Sequence, residues 1–168
     1  HTRWATHGAP NQVNSHPHFD CRGELAVVHN GIIENYARLK DELISKGHRF
    51  SSQTDTEVIV HLLEDNLKHH CLEEAVRRTV SRLEGSFALG IVSSKEPDKL
   101  IGARLGSPLI VGVGKQEQFL ASDVPAILDS TKDIIFLKEN EMVVLTKDSW
   151  RVSDLAGRAD YRPLTGAA

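Results

Sequence analysis

The spacing of apolar residues divides the chain into two parts with different predicted structure. Between residues 34 and 85, apolar side chains recur every three or four positions, which is the period of a helix with one buried face. Three helices are predicted here: one over 34–46, one that begins at the Thr54–Glu57 segment, and one that starts at Leu72. Thr54 and Glu57 have the spacing of a capping box, which favours a helix start at that segment.

Beyond residue 85 the apolar residues form short β-rich runs separated by turn-forming residues. One short helix is predicted among them, over 124–128. The predicted strands cover residues 86–93, 99–105, 109–114, 118–121, 134–137, 141–146 and 150–153. Because helices and strands are grouped rather than alternating, the pattern predicts an α+β fold built from separate layers.

The first 23 residues have no apolar period, and Gly and Pro residues interrupt them. They are predicted to form an extended loop whose polar groups are placed for ligand contacts. A short apolar strand over 25–28 follows, and the Asn30-Gly31 pair after it is typical of a tight reversal between two strands.

Composition argues against several classes of function. A chain of 168 residues fits one domain, and a net charge of −3 without a basic run argues against nucleic acid as a partner. Apolar runs are far shorter than the roughly 20 residues of a membrane span, so no membrane partner is expected. Two cysteines do not make a disulfide framework, which favours a reducing, cytoplasmic environment.

Three features of the sequence admit both a structural and a functional interpretation. Asn30 and Gly31 form either a simple hairpin turn or a pair of neutral N–H donors for an oxyanion. Arg3 is either a solvated surface charge or a planar fork that binds a carboxylate, with Trp4 covering the ligand. Asp55 is either a helix cap or the partner of a ligand's amine. The residue types and spacing leave these alternatives open.

The histidine-rich start of the chain raises the question of a metal site. Its potential ligands are His1, His7, His16, His18, Asp20 and Cys21. None of their spacings matches a recurrent ligand pattern, so no metal and no other cofactor is predicted. Cys71 is interpreted as a small buried packing residue, and neither Cys21 nor Cys71 is predicted to be a nucleophile.

Seven segments, taken in order, resemble one family. They are HTRWATHG, NSHPHFDC, VVHNGIIENY, SSQTDTEVI, LEGSFALGI, RLGSPLIVG and FLASDVPAIL. Over residues 1 to about 155 they resemble the glutamine-hydrolysing domain of the glutamine–fructose-6-phosphate aminotransferase (isomerizing) family. The purine-pathway amidophosphoribosyltransferases, also class II amidotransferases, share the Arg loop, the Asn-Gly pair and the acidic segment, and form the main alternative.

The resemblance implies the chemistry of an N-terminal-nucleophile amidotransferase. The thiolate of an N-terminal cysteine attacks the side-chain amide of L-glutamine, and ammonia passes to a separate sugar-isomerase half that aminates fructose 6-phosphate. By this resemblance Asn30 and Gly31 would form the oxyanion hole. Arg3 would hold the substrate α-carboxylate and Asp55 its α-amino group. The loop that closes over glutamine would contain Trp4, Thr6 and His7. The family's glutaminase site uses no metal.

The family's nucleophile lies upstream of the HTRWATHG segment, with which this chain begins. The expected fold is therefore a partial four-layer αββα sandwich without its first strands and helix, and the chain alone is expected to be inactive. Residues 1–155 would form the amidotransferase domain, and 156–168 a linker towards the isomerase domain. At full length, the resemblance implies a cytoplasmic transferase of amino-sugar biosynthesis that forms a homodimer or a higher homo-oligomer.

Two other classes of protein remain as alternatives. One is a non-catalytic module that keeps the glutamine-binding residues without the nucleophile. The other is a metalloprotein built on the N-terminal histidines. Neither explains why the Arg loop, the Asn-Gly pair and the acidic segment occur together.

Overall fold

The structure is a computed structural model that describes residues 7–158, so Arg3, Trp4, Thr6 and residues 159–168 lie outside it. The helices are α1 (Tyr36–Ser45), α2 (Glu57–Asn66) and α3 (Leu72–Val80). The strands are β1 (His18–Phe19), β2 (Leu25–Ile33), β3 (Gly85–Ser93), β4 (Leu100–Leu105), β5 (Ile110–Val113), β6 (Gln118–Ala121), β7 (Asp133–Phe136), β8 (Glu141–Leu145) and β9 (Trp150–Asp154). A 3₁₀ turn covers Val124–Ala126, where the sequence predicts a short helix.

The strands form two antiparallel sheets, and the helices form a third layer. The larger sheet has the order β1-β2-β3-β4-β8-β9, and the smaller has the order β6-β5-β7. Along β8, Met142 and Val144 pack with the helices, whereas Val143 and Leu145 pack with residues of the smaller sheet. This alternation follows from the two-residue period of a strand. The large sheet is therefore covered on both faces, and the predicted α+β fold is confirmed.

The apolar stripes predicted for the helices form the core under the large sheet. In α2, the side chains of Val58, Ile59, Leu62 and Leu63 are all almost completely buried. Burying a side chain of this size contributes about 1.5–3 kcal/mol. The helical layer is thus held by the same pattern that predicts it.

Two glycines let the small sheet approach the large one. Gly90 of β3 and Gly102 of β4 are paired across the ladder, and the side chain of Leu120 in β6 lies over both. A Cβ at Gly102 would lie 2.9 Å from Leu120 Cδ1 and 3.0 Å from Val143 Cγ1, too close for unperturbed packing. The sheets therefore meet where side chains are absent.

The prediction of a tight reversal at Asn30-Gly31 is wrong. Both residues lie inside β2, which pairs with β3 in unbroken register from Leu25↔Ser93 to Ile33↔Gly85. A two-residue reversal would leave the apolar side chains beyond it without a partner strand, whereas the long ladder with β3 pairs all of them. Tertiary pairing overrides the local turn preference here.

The predicted capping box is also wrong. Helix α2 begins at Glu57, and its N-terminus shows no side-chain capping bond. The Glu57 carboxylate instead accepts hydrogen bonds from the backbone N–H groups of Ser51 and Ser52, each at 2.7 Å. Thr54 Oγ1 lies 3.1 Å from His18 Nε2. These side chains organise the segment before the helix rather than the first turn of the helix.

Other boundaries differ less. The third helix, predicted to end at Gly85, ends at Val80, and the strands beyond residue 85 agree with prediction to within a residue. Strand β1 lies in a segment predicted to be a loop, and β2 continues to Ile33, five residues past the predicted strand over 25–28. Cys71 is exposed just before α3, so its interpretation as a buried packing residue is wrong. Within residues 7–158 the longest helices have 10 residues, about half of what a membrane span needs.

Candidate active site

The edge of β2 that faces away from β3 gathers two of the predicted site residues. The short strand β1 pairs with only Ala26 and Val27 of β2. Further along the same edge, the backbone N–H of Ile33 donates to Asp55 Oδ2 at 2.8 Å. Backbone N–H groups two residues apart point to the same side of a strand, so the N–H of Gly31 faces this edge as well. Two residues of strand separate the two N–H groups by about 7 Å.

Gly31 has a conformation that requires glycine. Its φ is +130°, in the region that L-residues with a Cβ rarely adopt. A Cβ at this position would collide with the backbone carbonyl of Ser86 on the neighbouring strand. The close approach of β3 therefore explains the glycine, and it leaves the opposite side of the backbone open at the edge.

Asn30 lies on the other face of β2 from the helices. It is opposite Ala88 of β3 and half-buried. With Arg104, Pro108 and Phe136 it lines an open groove of about 480 Å³ whose walls come from both sheets. The side chain of Asn30 and the N–H of Gly31 thus belong to consecutive residues at the end of a rigid strand, which is a preorganised position for two neutral donors.

A network of polar side chains holds the segment that carries Asp55. Asn14 Oδ1 accepts from the backbone N–H of Gln53 at 2.9 Å, and Thr54 contacts His18 as described above. Asp55 itself is only 6% exposed. Its hydrogen bond to Ile33 uses one carboxylate oxygen, and a carboxylate has a second oxygen that can accept from an ammonium group. Asp55 is therefore not the cap of α2, and its role in binding a ligand's amine stays a prediction.

His29 is a neutral connector between β2, β3 and the Asp55 segment. Its Nδ1 lies 3.0 Å from Thr56 Oγ1, and its Nε2 lies 3.4 Å from the carbonyl oxygen of Ser86. Burial lowers the pKa of His29 below its ordinary value of 6.5, although the nearby Asp55 carboxylate acts to raise it. His29 is absent from the predicted site residues, and the signal that could have identified it is a histidine at an inward-facing position of an apolar strand.

Of the remaining predicted site residues, only His7 lies within the described part of the chain. Arg3, Trp4 and Thr6 lie outside the described residues. His7 is half-buried, and its ring centre lies 4.8 Å from that of Tyr36 at the start of α1. Their roles around glutamine stay predictions.

A second polar group lies near the beginning of β2 and involves Glu57, His61 and Asp65 of α2. Burial acts to raise the pKa of Glu57, but contacts with His61 and hydrogen bonds from the Ser51–Ser52 segment hold it at about 2. Burial acts to lower the pKa of His61, but the Glu57 and Glu64 carboxylates raise it. Burial also acts to raise the pKa of Asp65, but contacts with Lys68 and His48 hold it at about 2.

The fold defines the class of the protein. The structure of glutamine phosphoribosylpyrophosphate amidotransferase from B. subtilis matches 95% of this chain and 35% of its own length, with a TM-score of 0.77 and 24% identity. A structure described as the allosteric regulatory enzyme of purine biosynthesis matches 92% of this chain and 34% of its own length, with a TM-score of 0.78 and 26% identity. The fold is thus that of the N-terminal-nucleophile amidotransferases.

Sequence comparison gives the family. The family model for the glutamine amidotransferase domain matches residues 1–129, and the chain belongs to that family. Glutamine–fructose-6-phosphate aminotransferase (isomerizing) of Thermococcus kodakarensis is 58% identical over 153 residues, which are 90% of this chain and 25% of the relative. The same enzyme of Clostridium tetani is 53% identical over 98% of this chain and 27% of the relative. The chain spans about a quarter of the length of these relatives.

Proposed function

We propose that this chain is the glutamine-hydrolysing part of a glutamine–fructose-6-phosphate aminotransferase. The observation that carries the proposal is the edge of β2. There the N–H of Ile33 binds the Asp55 carboxylate, and the N–H of Gly31, two residues away along the strand, faces the same side. The two groups are complementary to the ends of glutamine: a cationic α-amino group at one end and an amide carbonyl at the other.

Substrate binding follows from the charges at this edge. Asp55 holds the α-ammonium group of glutamine through its second carboxylate oxygen. Arg3 holds the α-carboxylate by a bidentate pair of N–H donors. Trp4, Thr6 and His7 belong to the loop that closes over the bound amino acid and excludes water. The site is specific for a free amino acid because both charges of its backbone are paired.

Catalysis needs a thiolate and a place for negative charge. Cys21 lies near the beginning of β2, and Cys71 lies before α3, so neither is the nucleophile at the Gly31 edge. The N-terminal cysteine of the complete gene product supplies the thiolate. Its sulfur bonds to the amide carbon, and the carbonyl electron pair moves to oxygen, where Gly31 N–H and the Asn30 side chain stabilise it.

Collapse of this intermediate releases ammonia. The C–N bond breaks, and the cysteine's α-amino group delivers the thiol proton to the leaving nitrogen. Water then hydrolyses the γ-glutamyl thioester to glutamate and regenerates the thiol. Ammonia passes to the isomerase half, which aminates fructose 6-phosphate in amino-sugar biosynthesis. In this scheme residues 1–155 are the amidotransferase domain, residues 156–168 are the linker, and the full-length enzyme is a cytoplasmic homo-oligomer.

The test is glutamate release by the complete gene product and its Asn30→Ala variant. Loss of one oxyanion donor lowers kcat by about 10²–10³-fold. Asn66→Ala is the control, because the Asn66 amide bonds to Leu62 and Thr79 inside the helical layer. If Asn30→Ala and Asn66→Ala hydrolyse glutamine at similar rates, Asn30 has no catalytic role.

A second measurement decides the acceptor. Glutamine-dependent formation of an amino sugar from fructose 6-phosphate is expected, in agreement with relatives at 53–58% identity. Consumption of phosphoribosyl pyrophosphate instead would assign the chain to the purine-pathway amidotransferases. Glutamine binding with neither reaction would support the non-catalytic module.

A further inference from the structure

Four side chains that are far apart in the sequence converge beside the beginning of β2. Cys21 comes from the turn between β1 and β2, and His48 comes from the connection between α1 and α2. His61 and Glu64 lie one turn apart on α2. One ligand-type atom from each residue lies within 4.8 Å of the other three. We call this set the Cys-His-His-Glu cluster.

Five of the six interatomic distances in the cluster are close to the edges of a tetrahedral metal site. The two imidazole Nδ1 atoms are 3.3 Å apart, and Cys21 Sγ lies 3.8 Å from His48 Nδ1 and 3.7 Å from His61 Nδ1. Glu64 Oε2 lies 3.0 Å and 3.2 Å from the same two nitrogens. A tetrahedron built from ordinary zinc–nitrogen and zinc–sulfur bonds has N–N edges of about 3.3 Å and S–N edges of about 3.6 Å.

Hydrogen bonds from the two Nδ1–H groups to Glu64 Oε2 account for part of this convergence, but they leave the Cys21 thiol beside both nitrogens unexplained. A neutral imidazole nitrogen carries either one hydrogen or one lone pair, so each Nδ1 can make one good hydrogen bond. Here each Nδ1 faces the other, the same thiol and the same carboxylate oxygen, all at once. A central cation instead accepts a lone pair from every one of the four atoms.

The outer nitrogens of both imidazoles face carboxylates. His48 Nε2 lies 2.9 Å from Asp65 Oδ1, and His61 Nε2 lies 3.7 Å from Glu57 Oε1. Metal-binding histidines commonly present the arrangement seen at His48, because the outer carboxylate fixes the tautomer and orients the inner nitrogen. The contact of His61 with Glu57 is an ion-pair distance and not a hydrogen bond. A thiolate, a carboxylate and two neutral imidazoles carry a total charge of −2, which a divalent cation neutralises.

We propose that Cys21, His48, His61 and Glu64 bind one divalent transition-metal ion in a tetrahedral structural site. Mixed sulfur and nitrogen ligands in this geometry favour zinc. Cys21 is exposed, which gives the ion a route in, whereas both histidines are buried. The site joins the β1–β2 turn to α2 and to the connection that continues into the Asp55 segment, and it takes no part in glutamine hydrolysis.

The first test is the metal content of the complete gene product, purified without chelators or a histidine tag. Mass spectrometry of the digested protein should find about one zinc ion per chain. Cys21→Ser and His48→Ala should each lose at least about 80% of it, because each removes a ligand. The matched controls are Cys71→Ser and His69→Ala, which change exposed residues outside the cluster and should keep the metal.

Cobalt substitution tests the geometry without relying on a variant that folds. Apoprotein titrated with Co²⁺ should develop the intense visible bands of a tetrahedral ion and a thiolate charge-transfer band in the near ultraviolet, saturating at about one equivalent. Cys21→Ser should lose the thiolate band. If the purified protein contains a different divalent metal, and the same variants lose it, the site is supported and only the assignment of zinc is replaced. Wild-type protein that takes up less than about a tenth of an equivalent of zinc or cobalt overturns the proposal, as does metal retained in both ligand variants.

Discussion

The two ends of β2 show two different ways of building a site. At the Gly31 end, strand geometry places the backbone N–H donors and one amide, and the Asp55 carboxylate joins them from the connection between α1 and α2. At the Cys21 end, four side chains from three separate elements point at one centre. In the first arrangement, neutral N–H donors can stabilise a negative charge that develops during a reaction. The second suits a charge that is always present.

The two regions are connected through the chain between α1 and α2. His48 lies at one end of this connection, and Asp55 lies at the other. The Glu57 carboxylate fixes its middle through Ser51 and Ser52. Disturbance of one region should therefore reach the other through position and stability rather than through direct chemistry, which the following predictions test.

The largest effect is expected for Gly31→Ala. The new Cβ collides with Ser86, moves the backbone N–H and weakens the oxyanion site, so kcat for glutamine hydrolysis should fall by about 10²–10³-fold. Gly23→Ala is the matched control, because Gly23 also has positive φ, +69°, but a Cβ there meets nothing within 4 Å. Metal content should be unchanged in both. Equal activity of the two variants would show that the Gly31 N–H is not used.

A smaller effect is expected for Asp55→Asn. The amide oxygen can still accept from Ile33, but the ion pair with the substrate ammonium is lost. The KM for glutamine should rise by about 10–100-fold, with a lesser change in kcat. Asp41→Asn on the exposed side of α1 serves as control. A fall in kcat at constant KM would contradict a binding role for Asp55.

Cys21→Ser disturbs the other region and should lower stability without lowering activity. Loss of an ion present at about 100 times its Kd costs about 2.7 kcal/mol, which lowers the Tm by about 5–10 °C in a domain of this size. Glutamine hydrolysis at 25 °C should stay within about threefold of wild type, because the Gly31 edge is intact. A loss of activity as large as that of Gly31→Ala, in protein that remains folded, would make the two regions one site.

The smallest effect concerns His29 and pH. Its folded-state pKa is lowered below 6.5, so the unfolded chain binds the proton more readily. The contribution of neutral His29 to stability is therefore complete above about pH 6.5 and is lost as the pH falls from there through the lowered pKa, at up to about 1.4 kcal/mol per pH unit. Urea unfolding of His29→Gln should show a weaker pH dependence in this window, whereas exposed His69→Gln should match wild type. Identical profiles for all three proteins would exclude this role.

Sequence reasoning succeeded where a residue's role follows from its neighbours in the chain. The helical stripes and most strands were predicted because burial repeats with the period of the element. It failed at Asn30-Gly31, where a local turn preference of the pair is overridden by pairing with β3. It failed again at Thr54 and Glu57, whose side chains bond to His18 and to the Ser51–Ser52 segment instead of to each other's backbone.

The grouping of helices and strands, the buried faces and the segments predicted to contact glutamine could all be inferred from the sequence alone, because each depends on short-range period or on contiguous motifs. Only the tertiary structure decided that Asp55 meets Ile33 at the edge of β2, and that Cys21 and His48 meet His61. Such contacts join residues 13 to 40 positions apart. Their geometry depends on how sheets and helices pack, and no local pattern encodes that distance.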